Sequence, residues 1–448
     1  MALTLYQSLP GDRSGIIGEN YYRGDEYEGY DPIKFIADCK ELRNKASNAF
    51  SRVYGQDLLA HRLNVNSMFF CIGNEDTLNE RTAGTVGNDS LDEYKKYMDS
   101  LPELNDQSDG VKGFASIVVN LALDHKKVFL LDEPETFIHP PQVQILGNTI
   151  CEFSKGRQVF IATHSQDIIK GLLDYNPNRV KIIRITRTDE SSNDFNVLDN
   201  DTILTLWRDP FLKYSDVLSS LFYEDVIVCE SDSDCKIYGV LLNDTKLENG
   251  AFSQALLLPA YGKQRVYKVV SALKSLGINV ISIFDIDILS DIGDLRKIIQ
   301  ASGGDVKEIQ DDYRCLSQNL QAASTHINRE SFRRIVLDII GQSDSKELSK
   351  DEVETIKKNL EIVSKWGYLK KYGYKAIPAG KGIQAFERIE EYLASLGIYI
   401  VRQGELENFI KSVSGHGPEW VSKVLEQYPD HSNQIYDEIK DFIRSWGI

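Results

Sequence analysis

Carboxylates follow apolar stretches at three separate places in the second half of the sequence. These acidic residues are Glu230 with Asp234, Asp285 with Asp287, and Glu405 with Glu407. The apolar stretches have the continuous hydrophobicity of buried strands in a parallel sheet, whose carboxyl ends meet where such sheets bind ligands. Oxygen donors gathered in one crevice suit Mg²⁺ or Mn²⁺. A solvated acidic turn explains any single pair, but it does not explain why the pattern repeats.

A second set of residues has the types and order that nucleotide hydrolysis needs. Asp132 and Glu133 end an apolar stretch, where one carboxylate can hold magnesium and the next can polarise water. His164 follows a later apolar stretch, at the place of a histidine that senses the γ-phosphate. Upstream, Ser108, Gly110 and Lys112 precede a buried helix and resemble the signature loop of ABC ATPases, which binds nucleotide held by a second subunit. For Asp132 and Glu133 alone, a strand end facing solvent remains the alternative.

The phosphate-binding loop of such a site is missing from the sequence. No window fits G-x-x-x-x-G-K-S/T, and the nearest segment, 379–382, lacks the first glycine at the required spacing. We therefore expect an incomplete ATP site in this chain. Because a signature loop acts across a dimer, we also expect a homodimer or higher oligomer through the ATPase half, and a partner chain is one source of the missing loop.

Strand-like and helical segments alternate along the chain and predict an α/β fold. The first alternation runs from a helix at 111–123 through strands at 127–131 and 158–162, and the second begins at Asp225. The expected domains are an N-terminal segment (1–104), the C-terminal half of an ATPase domain (105–215) and a second α/β domain (216–448). We place the boundary between Leu206 and Glu224, and a charged, mostly helical insertion at about 291–365.

The motifs resemble two known families joined in one chain. Residues 133–140 are similar to the E-P-E-x-x-L-H-P segment of the ABC ATPase branch that includes the RecF-like and AAA15/AAA21 proteins. The acidic set resembles the Toprim domain, with Ser231 in place of the usual glycine, and residues 405–409 look like an E-x-E-N-Y/F motif. The chain is thus identified as similar to the OLD family of ATP-dependent nucleases: a partial ABC-type ATPase domain followed by a Toprim domain, a Rossmann-like parallel sheet with helical additions.

This resemblance implies a two-metal site for Mg²⁺ or Mn²⁺, built from the six acidic residues, that cleaves DNA. It also implies an assisting lysine, for which Lys381 is the first candidate and Lys375 the second. The formal charge of −16 opposes DNA binding over the whole molecule, so cationic contacts are needed. We expect them from two groups of basic residues: Lys263, Arg265, Lys268 and Lys274, and then Lys370, Lys371, Lys375 and Lys381.

No apolar run is long enough to cross a membrane and the N-terminus lacks an export signal, so a cytoplasmic location is expected. The leading hypothesis is a metal-dependent DNA endonuclease or nickase gated by an ABC-type ATPase module, with a role in antiphage defence taken from its relatives. The alternative is a regulatory or scaffold subunit that does not hydrolyse ATP and completes a partner's site. A topoisomerase or primase is disfavoured because the other domains of those enzymes are missing.

Overall fold

The computed structural model describes most of the chain and divides it into two compact units. The described residues are 5–8, 20–21, 36–61, 67–83, 86–123, 127–187, 189, 191–213, 215–248, 255–324, 329–341, 347–361 and 365–447. Apart from β-strand residues 20–21, the expected loop or short strands at 11–31 lie outside them. The units are Met1–Val180 and Lys181–Ile448. The ATPase and Toprim domain assignments stay predictions.

The first unit contains two small sheets and the helices around them. Its strands are β1 (Leu5–Ser8), β2 (Asn20–Tyr21), β3 (Asp57–His61), β4 (Ser67–Gly73), β5 (Val128–Asp132) and β6 (Gln158–Ala162). Its helices are α1 (Lys40–Tyr54), α2 (Glu75–Thr82), α3 (Asn88–Met98), α4 (Asp109–Ala122), α5 (Pro140–Phe153) and α6 (Gln166–Tyr175). The predicted strands and helices of this half are confirmed with small shifts of their ends.

Strands β1, β5 and β6 form a parallel sheet in that order, while β2, β4 and β3 form an antiparallel one. Helix α4 is almost entirely buried, and Phe114 and Leu121 pack with Phe129 of β5 and Leu146 of α5 in the core. Eleven of its fourteen residues are buried and most of them are apolar, which explains why the helix could be recognised from composition.

Strand β6 lies at one edge of its sheet within the described part of the chain. Its residues alternate between exposed and half-buried, and Phe160 in the middle is 55% exposed. Parallel strands are normally covered on both faces and paired on both sides. The outer edge of β6 therefore has no partner strand among the described residues, and Phe160 leaves an apolar side chain exposed on one face beside it, an arrangement suited to a further strand.

The described part of the second unit contains a four-stranded sheet and a two-stranded hairpin. The strands of the unit are β7 (Ile182–Arg187), β8 (Asn193–Leu198), β9 (Asp225–Cys229), β10 (Ala255–Pro259), β11 (Asn279–Asp285) and β12 (Ile398–Val401). The sheet order is β10-β9-β11-β12 and every pairing is parallel, as the unbroken apolar strands predict. Strands β7 and β8 form an antiparallel hairpin, which belongs to this unit.

Helices cover both faces of this sheet and extend from it. They are α7 (Asn200–Arg208), α8 (Pro210–Lys213), α9 (Asp232–Glu248), α10 (Lys263–Ser275), α11 (Ile292–Ala301), α12 (Gln310–Ser324), α13 (Arg329–Ile340), α14 (Lys350–Glu361), α15 (Lys365–Tyr372), α16 (Lys381–Ser395), α17 (Gly417–Gln427) and α18 (Asp437–Arg444). Ile227, Tyr238 and Trp420 lie at the centre of the core between the sheet and helices α9, α17 and α18.

The region of the predicted helical insertion, about 291–365, contains helices α11 to α14. Among the described residues, no helix combines the length and the low charge that crossing a bilayer requires. The cysteines are all free, and Cys71, Cys151 and Cys229 are buried, as expected for reduced core side chains.

Candidate functional site

The carboxylates predicted at three strand ends converge at one end of the second unit's sheet. Glu230 directly follows β9, Asp285 is the last residue of β11, and Glu405 lies in the loop after β12. Because these strands are parallel neighbours, their carboxyl ends share one edge. A hydrogen bond that Asp285 donates through its backbone N–H to Glu230 Oε1, at 3.2 Å, joins the first two positions directly.

The ammonium group of Lys370 lies among these carboxylates. Its Nζ is 3.3 Å from Asp285 Oδ2, 3.3 Å from Asp287 Oδ2 and 3.6 Å from Glu405 Oε2. A single cation therefore contacts acids from two different strand ends, including both members of the D-x-D pair. The i, i+2 spacing of Asp285 and Asp287 does turn both side chains to the same side.

Lys370, and not the predicted Lys381, is the lysine that contacts these acids. Lys381 is exposed at the first residue of α16, and no ion pair joins it to these acids in the described residues. Lys375, the second candidate, is also exposed. Lys370 could not be selected by motif, because it reaches the site only through the way α15 packs.

Helix α15 is held against the loop that carries the third acidic pair. Asn408 Nδ2 donates to the backbone oxygens of Lys370 and Gln403, at 3.1 and 3.0 Å. Gly404 has φ 112°, and a Cβ there would lie 2.0 Å from the Lys370 carbonyl oxygen. The segment Gly404–Asn408 therefore does two things: it supplies acids, and it fixes the backbone of the lysine that neutralises them.

The other two predicted acids are fixed by hydrogen bonds around the same region. Asp234 Oδ2 accepts from the backbone N–H and the hydroxyl of Ser231, at 2.8 and 3.0 Å. Ser231, which stands where the resembling family has glycine, thus orients a candidate ligand. Glu407 Oε1 accepts from the Gly417 backbone N–H at 2.7 Å and lies 2.7 Å from His416 Nδ1.

The electrostatics of the cluster show that these carboxylates lack sufficient compensating charge. Burial, followed by the charges of Asp287 and Asp234, raises the pKa of Glu230 from 4.5 to about 7. Burial and then Glu230 raise the pKa of Asp285 well above its usual value. Burial opposes the charge on Lys370, but Asp285 and Asp287 outweigh it and raise the pKa of that lysine. Further positive charge would therefore be bound favourably here.

The expected DNA-contacting residues of α10 are engaged within the unit. Lys263 Nζ lies 3.4 Å from Asp287 Oδ1, so it faces the acidic cluster. Arg265 and Lys268 both pair with Asp209, at 3.1 and 3.6 Å. Lys274 donates to two backbone carbonyls. These pairings correct the expectation of a cationic face, because spacing on a helix does not reveal partners from distant segments.

A buried hydroxyl tests whether the cluster fits a divalent ion. The side chain of Tyr238 is 1% exposed, and its Oη has no hydrogen-bond partner among the described residues. Burial and then the nearby Asp234 raise the pKa of Tyr238, and Asp285 and Glu407 act in the same direction. Oxygen donors from several strand ends beside an unsatisfied buried hydroxyl fit Mg²⁺ or Mn²⁺ with coordinated water.

In the first unit, the structure brings Glu133 and His164 together. Strands β5 and β6 pair in register up to Asp132 and Ala162, so the residues that follow are neighbours. Glu133 Oε2 lies 2.6 Å from His164 Nδ1, and Glu135 Oε1 accepts from the Thr163 hydroxyl at 2.5 Å. Glu133 has φ 46°, a left-handed backbone rarely used by non-glycine residues.

Charge is distributed unequally between the two glutamates. Burial acts to raise the pKa of Glu133, but the hydrogen bonds with His164 and Glu135, together with the charge of His164, outweigh it, so the pKa is lowered. That same bond raises the pKa of His164. Burial raises the pKa of Glu135. Glu135 lies within the sequence motif, but only the structure identifies it as part of this cluster.

The residues of the signature-like loop lie at the N-terminus of α4. Ser108 is the N-cap residue, and Lys112 Nζ pairs with Asp109 Oδ1 at 3.0 Å within the first turn. A Cβ at Gly110 would lie 2.2 Å from the carbonyl oxygen of Phe137, so only glycine permits this approach to the segment after β5. Phe137 is itself 71% exposed and has φ 66°.

These residues fit only one side of an ATP site. The glutamate, the histidine and the signature-like helix terminus are suited to a terminal phosphate and its attacking water. The sequence provides no loop to cradle the other phosphates. The fit to ATP is therefore incomplete in this chain, and no hydrolytic step can be derived from its residues alone.

Comparisons with known proteins give a match within the first unit. Residues 41–170 match the family described as "AAA domain, putative AbiEii toxin, Type IV TA system". This segment is therefore similar to an ATPase domain of the AAA/ABC type. Domains of this type use ATP with Mg²⁺, and the match spans the signature-like loop, Glu133 and His164. No curated protein has significant sequence similarity to the chain.

Two solved structures illustrate more distant similarity. One, titled "Crystal structure of the SmcHead bound to the C-winged helix domain of ScpA", is 13% identical with a TM-score of 0.31, covering 44% of this chain and 57% of its own. Another, "Structural biochemistry of ATP-driven dimerization and DNA stimulated activation of SMC ATPases", is 13% identical with a TM-score of 0.27, covering 40% of this chain and 96% of its own. This chain thus spans little more than half the length of the first.

Proposed function

We propose that the protein is a metal-dependent phosphodiesterase, a DNA endonuclease or nickase of the Toprim type, regulated by its ABC-type ATPase domain. The single observation that carries the proposal is the contact of Lys370 with carboxylates after β11 and β12, at 3.3 to 3.6 Å. Acids that converge on one cation from separate strand ends form a ligand set, whereas solvated turns do not.

The chemistry follows from the oxygen donors and the lysines. A divalent ion held there supplies Lewis-acid polarisation of a phosphoryl oxygen and lowers the pKa of bound water. Asp285 and Asp287, on the same side of the chain after β11, are the proposed central ligands. Lys370 and Lys263 face the same carboxylates and would neutralise charge that develops on the phosphate.

DNA as the substrate, and a role in antiphage defence, are supported by the resemblance to OLD nucleases. The carboxylates and lysines of the site are suited to a phosphodiester, and they favour neither DNA nor RNA and no particular base sequence. The acidic surface makes binding depend on the few basic groups that remain accessible, so we expect nicking to fall only shallowly as the salt concentration rises, because the slope scales with the number of phosphate contacts.

Plasmid nicking tests the proposal directly. Asp287→Asn should abolish conversion of supercoiled to open-circular DNA in Mg²⁺ or Mn²⁺, because it removes a charge at the centre of the ligand set. Asp232→Asn is the matched control: Asp232 precedes the proposed ligand Asp234 by two residues and pairs with Lys236 on the surface at 2.7 Å. Undiminished nicking by the Asp287 variant, or equal loss in both, would overturn the site assignment.

A second candidate function is supported by the open edge of β6. A regulatory or scaffold subunit would use this edge to receive a strand that carries the missing phosphate-binding loop, supplied by another polypeptide segment. The exposure of Phe160 and the absence of G-x-x-x-x-G-K-S/T from the sequence both favour this arrangement.

Nucleotide binding distinguishes this candidate from a self-sufficient ATPase. The chain alone should not bind a fluorescent ATP analogue, whereas a mixture with a polypeptide that carries the loop should bind it. Phe160→Asp should then prevent binding of the ATP analogue in the mixture, because it would place a charge on the exposed apolar side chain position beside the edge of β6. ATP binding by the chain alone at micromolar concentration would contradict the scaffold role.

A further inference from the structure

A histidine lies beside the third acidic pair. Glu405, Glu407 and His416 each offer one ligand atom, and these atoms all lie within 4.8 Å of one another. Glu405 and Glu407 come from the loop after β12, whereas His416 is the residue immediately before α17. Two segments therefore bring imidazole and carboxylate donors together next to the proposed nuclease site.

The backbone around His416 fixes its position. Gly415 and Gly417 flank it with φ 132° and 58°, conformations that favour glycine. The Gly417 N–H and the His416 ring both contact Glu407 Oε1, each at 2.7 Å. The side chain of His416 is 76% exposed, so an ion can reach it from solvent without a rearrangement of the core.

A further observation concerns a buried hydroxyl in the same region. The Tyr238 hydroxyl has no hydrogen-bond partner among the described residues, and Tyr238 lies four residues after the proposed ligand Asp234, on the same face of α9. Buried hydroxyls without partners are uncommon in folded proteins. Water coordinated to an ion in this region would satisfy the group.

We propose that Glu405, Glu407 and His416 form a mixed imidazole–carboxylate site that selects a divalent transition metal over Mg²⁺. Imidazole suits metals such as Zn²⁺ and Ni²⁺, for which Co²⁺ is a spectroscopic substitute, whereas sites with oxygen ligands alone suit Mg²⁺ or Mn²⁺. The site lies beside the all-oxygen set of Glu230 and Asp285. The inference rests on the proposed metal site and deepens it by assigning different metal classes to its two halves.

Cobalt spectroscopy tests this assignment without any need for nuclease activity. Co²⁺ is titrated into the full-length chain and its visible absorption band is recorded, with Mg²⁺ affinity measured by calorimetry. His416→Gln should weaken Co²⁺ binding by at least about tenfold, since losing even an outer-shell partner costs about 10–100-fold. It should also shift the Co²⁺ band, and Mg²⁺ affinity should stay unchanged.

Two further variants control for indirect effects. His431→Gln should match the wild type, because the His431 ring packs edge-on against Tyr436. His416→Cys should restore binding and add a thiolate-to-cobalt band. An unchanged Co²⁺ spectrum and affinity in His416→Gln would overturn the proposal. If that variant loses Co²⁺ while the wild type nicks no DNA, the metal site stands and the nuclease function fails; the reverse result rejects only the metal site.

Discussion

Glu230→Gln should stabilise the metal-free protein at alkaline pH. The substitution keeps the oxygen that accepts from the Asp285 N–H but removes the ionisable group. Burial and the charges of Asp287 and Asp234 raise the pKa of Glu230 from 4.5 to about 7. A shift of one pKa unit corresponds to about 1.4 kcal/mol. Ionised Glu230 therefore lowers the free energy of unfolding by about 3 kcal/mol, and by somewhat less because the group is partly accessible to solvent.

The sign of the pH dependence follows from the direction of the shift. Below pH 4.5 the Glu230 carboxyl is protonated in both the folded and unfolded states, and the variant should have no advantage. The cost grows as the pH rises from 4.5 and is fully present above about 7. At pH 8 we therefore expect the variant to be more stable by about 2–3 kcal/mol.

Urea unfolding in EDTA at several pH values measures this difference. A hundredfold excess of Mg²⁺ over its Kd should remove most of this difference, because the wild type then gains about 2.7 kcal/mol. Glu419→Gln is the control: Glu419 is exposed and pairs with Lys423 within α17, so its loss should change stability by less than about 0.5 kcal/mol. Equal stability of wild type and Glu230→Gln at pH 8, or a gain independent of pH, would refute the reasoning.

The remaining predictions concern the lysine and two close backbone approaches. Lys370→Met should destabilise the metal-free protein by about 2 kcal/mol, tighten Mg²⁺ binding in calorimetry because a competing cation is gone, and reduce nicking. Gly404→Ala should cost about 1–3 kcal/mol more in urea unfolding than Gly303→Ala, because both glycines have positive φ but only the first would meet a carbonyl oxygen. Gly110→Ala should cost about 1–3 kcal/mol despite better helix propensity, because its Cβ would meet the Phe137 carbonyl; a stabilised variant would contradict this geometry.

The sheet of the second unit and its acidic edge could be predicted because the information is local. Continuous apolar segments ending in acids define both the strands and their functional ends, and parallel pairing brings those ends together. The same argument placed β5, β6 and the residues that follow them. Sequence periodicity was sufficient wherever a side chain's neighbours are set by the strand that carries it.

The position of Lys370, the partner of Arg265 and the pairing of β1 with β5 could not be predicted, because they depend on contacts between distant segments. Lys370 reaches the acids only because Asn408 and Gly404 hold the backbone of α15. Likewise, the pairing of Arg265 with Asp209 joins segments 56 residues apart. Pairing of β1 with β5 also joins segments far apart in sequence, and nothing in the composition of β1 indicates its partner.

The left-handed backbone of Glu133 has a consequence for directed evolution of this protein. The left-handed conformation of Glu133 costs a residue with a Cβ about 1–2 kcal/mol. Glycine avoids this cost, and asparagine tolerates the conformation better than glutamate does. A screen that rewards heat resistance alone will therefore enrich small or amide side chains at 133. Libraries intended to keep the first unit competent should hold that codon constant and seek thermal tolerance elsewhere.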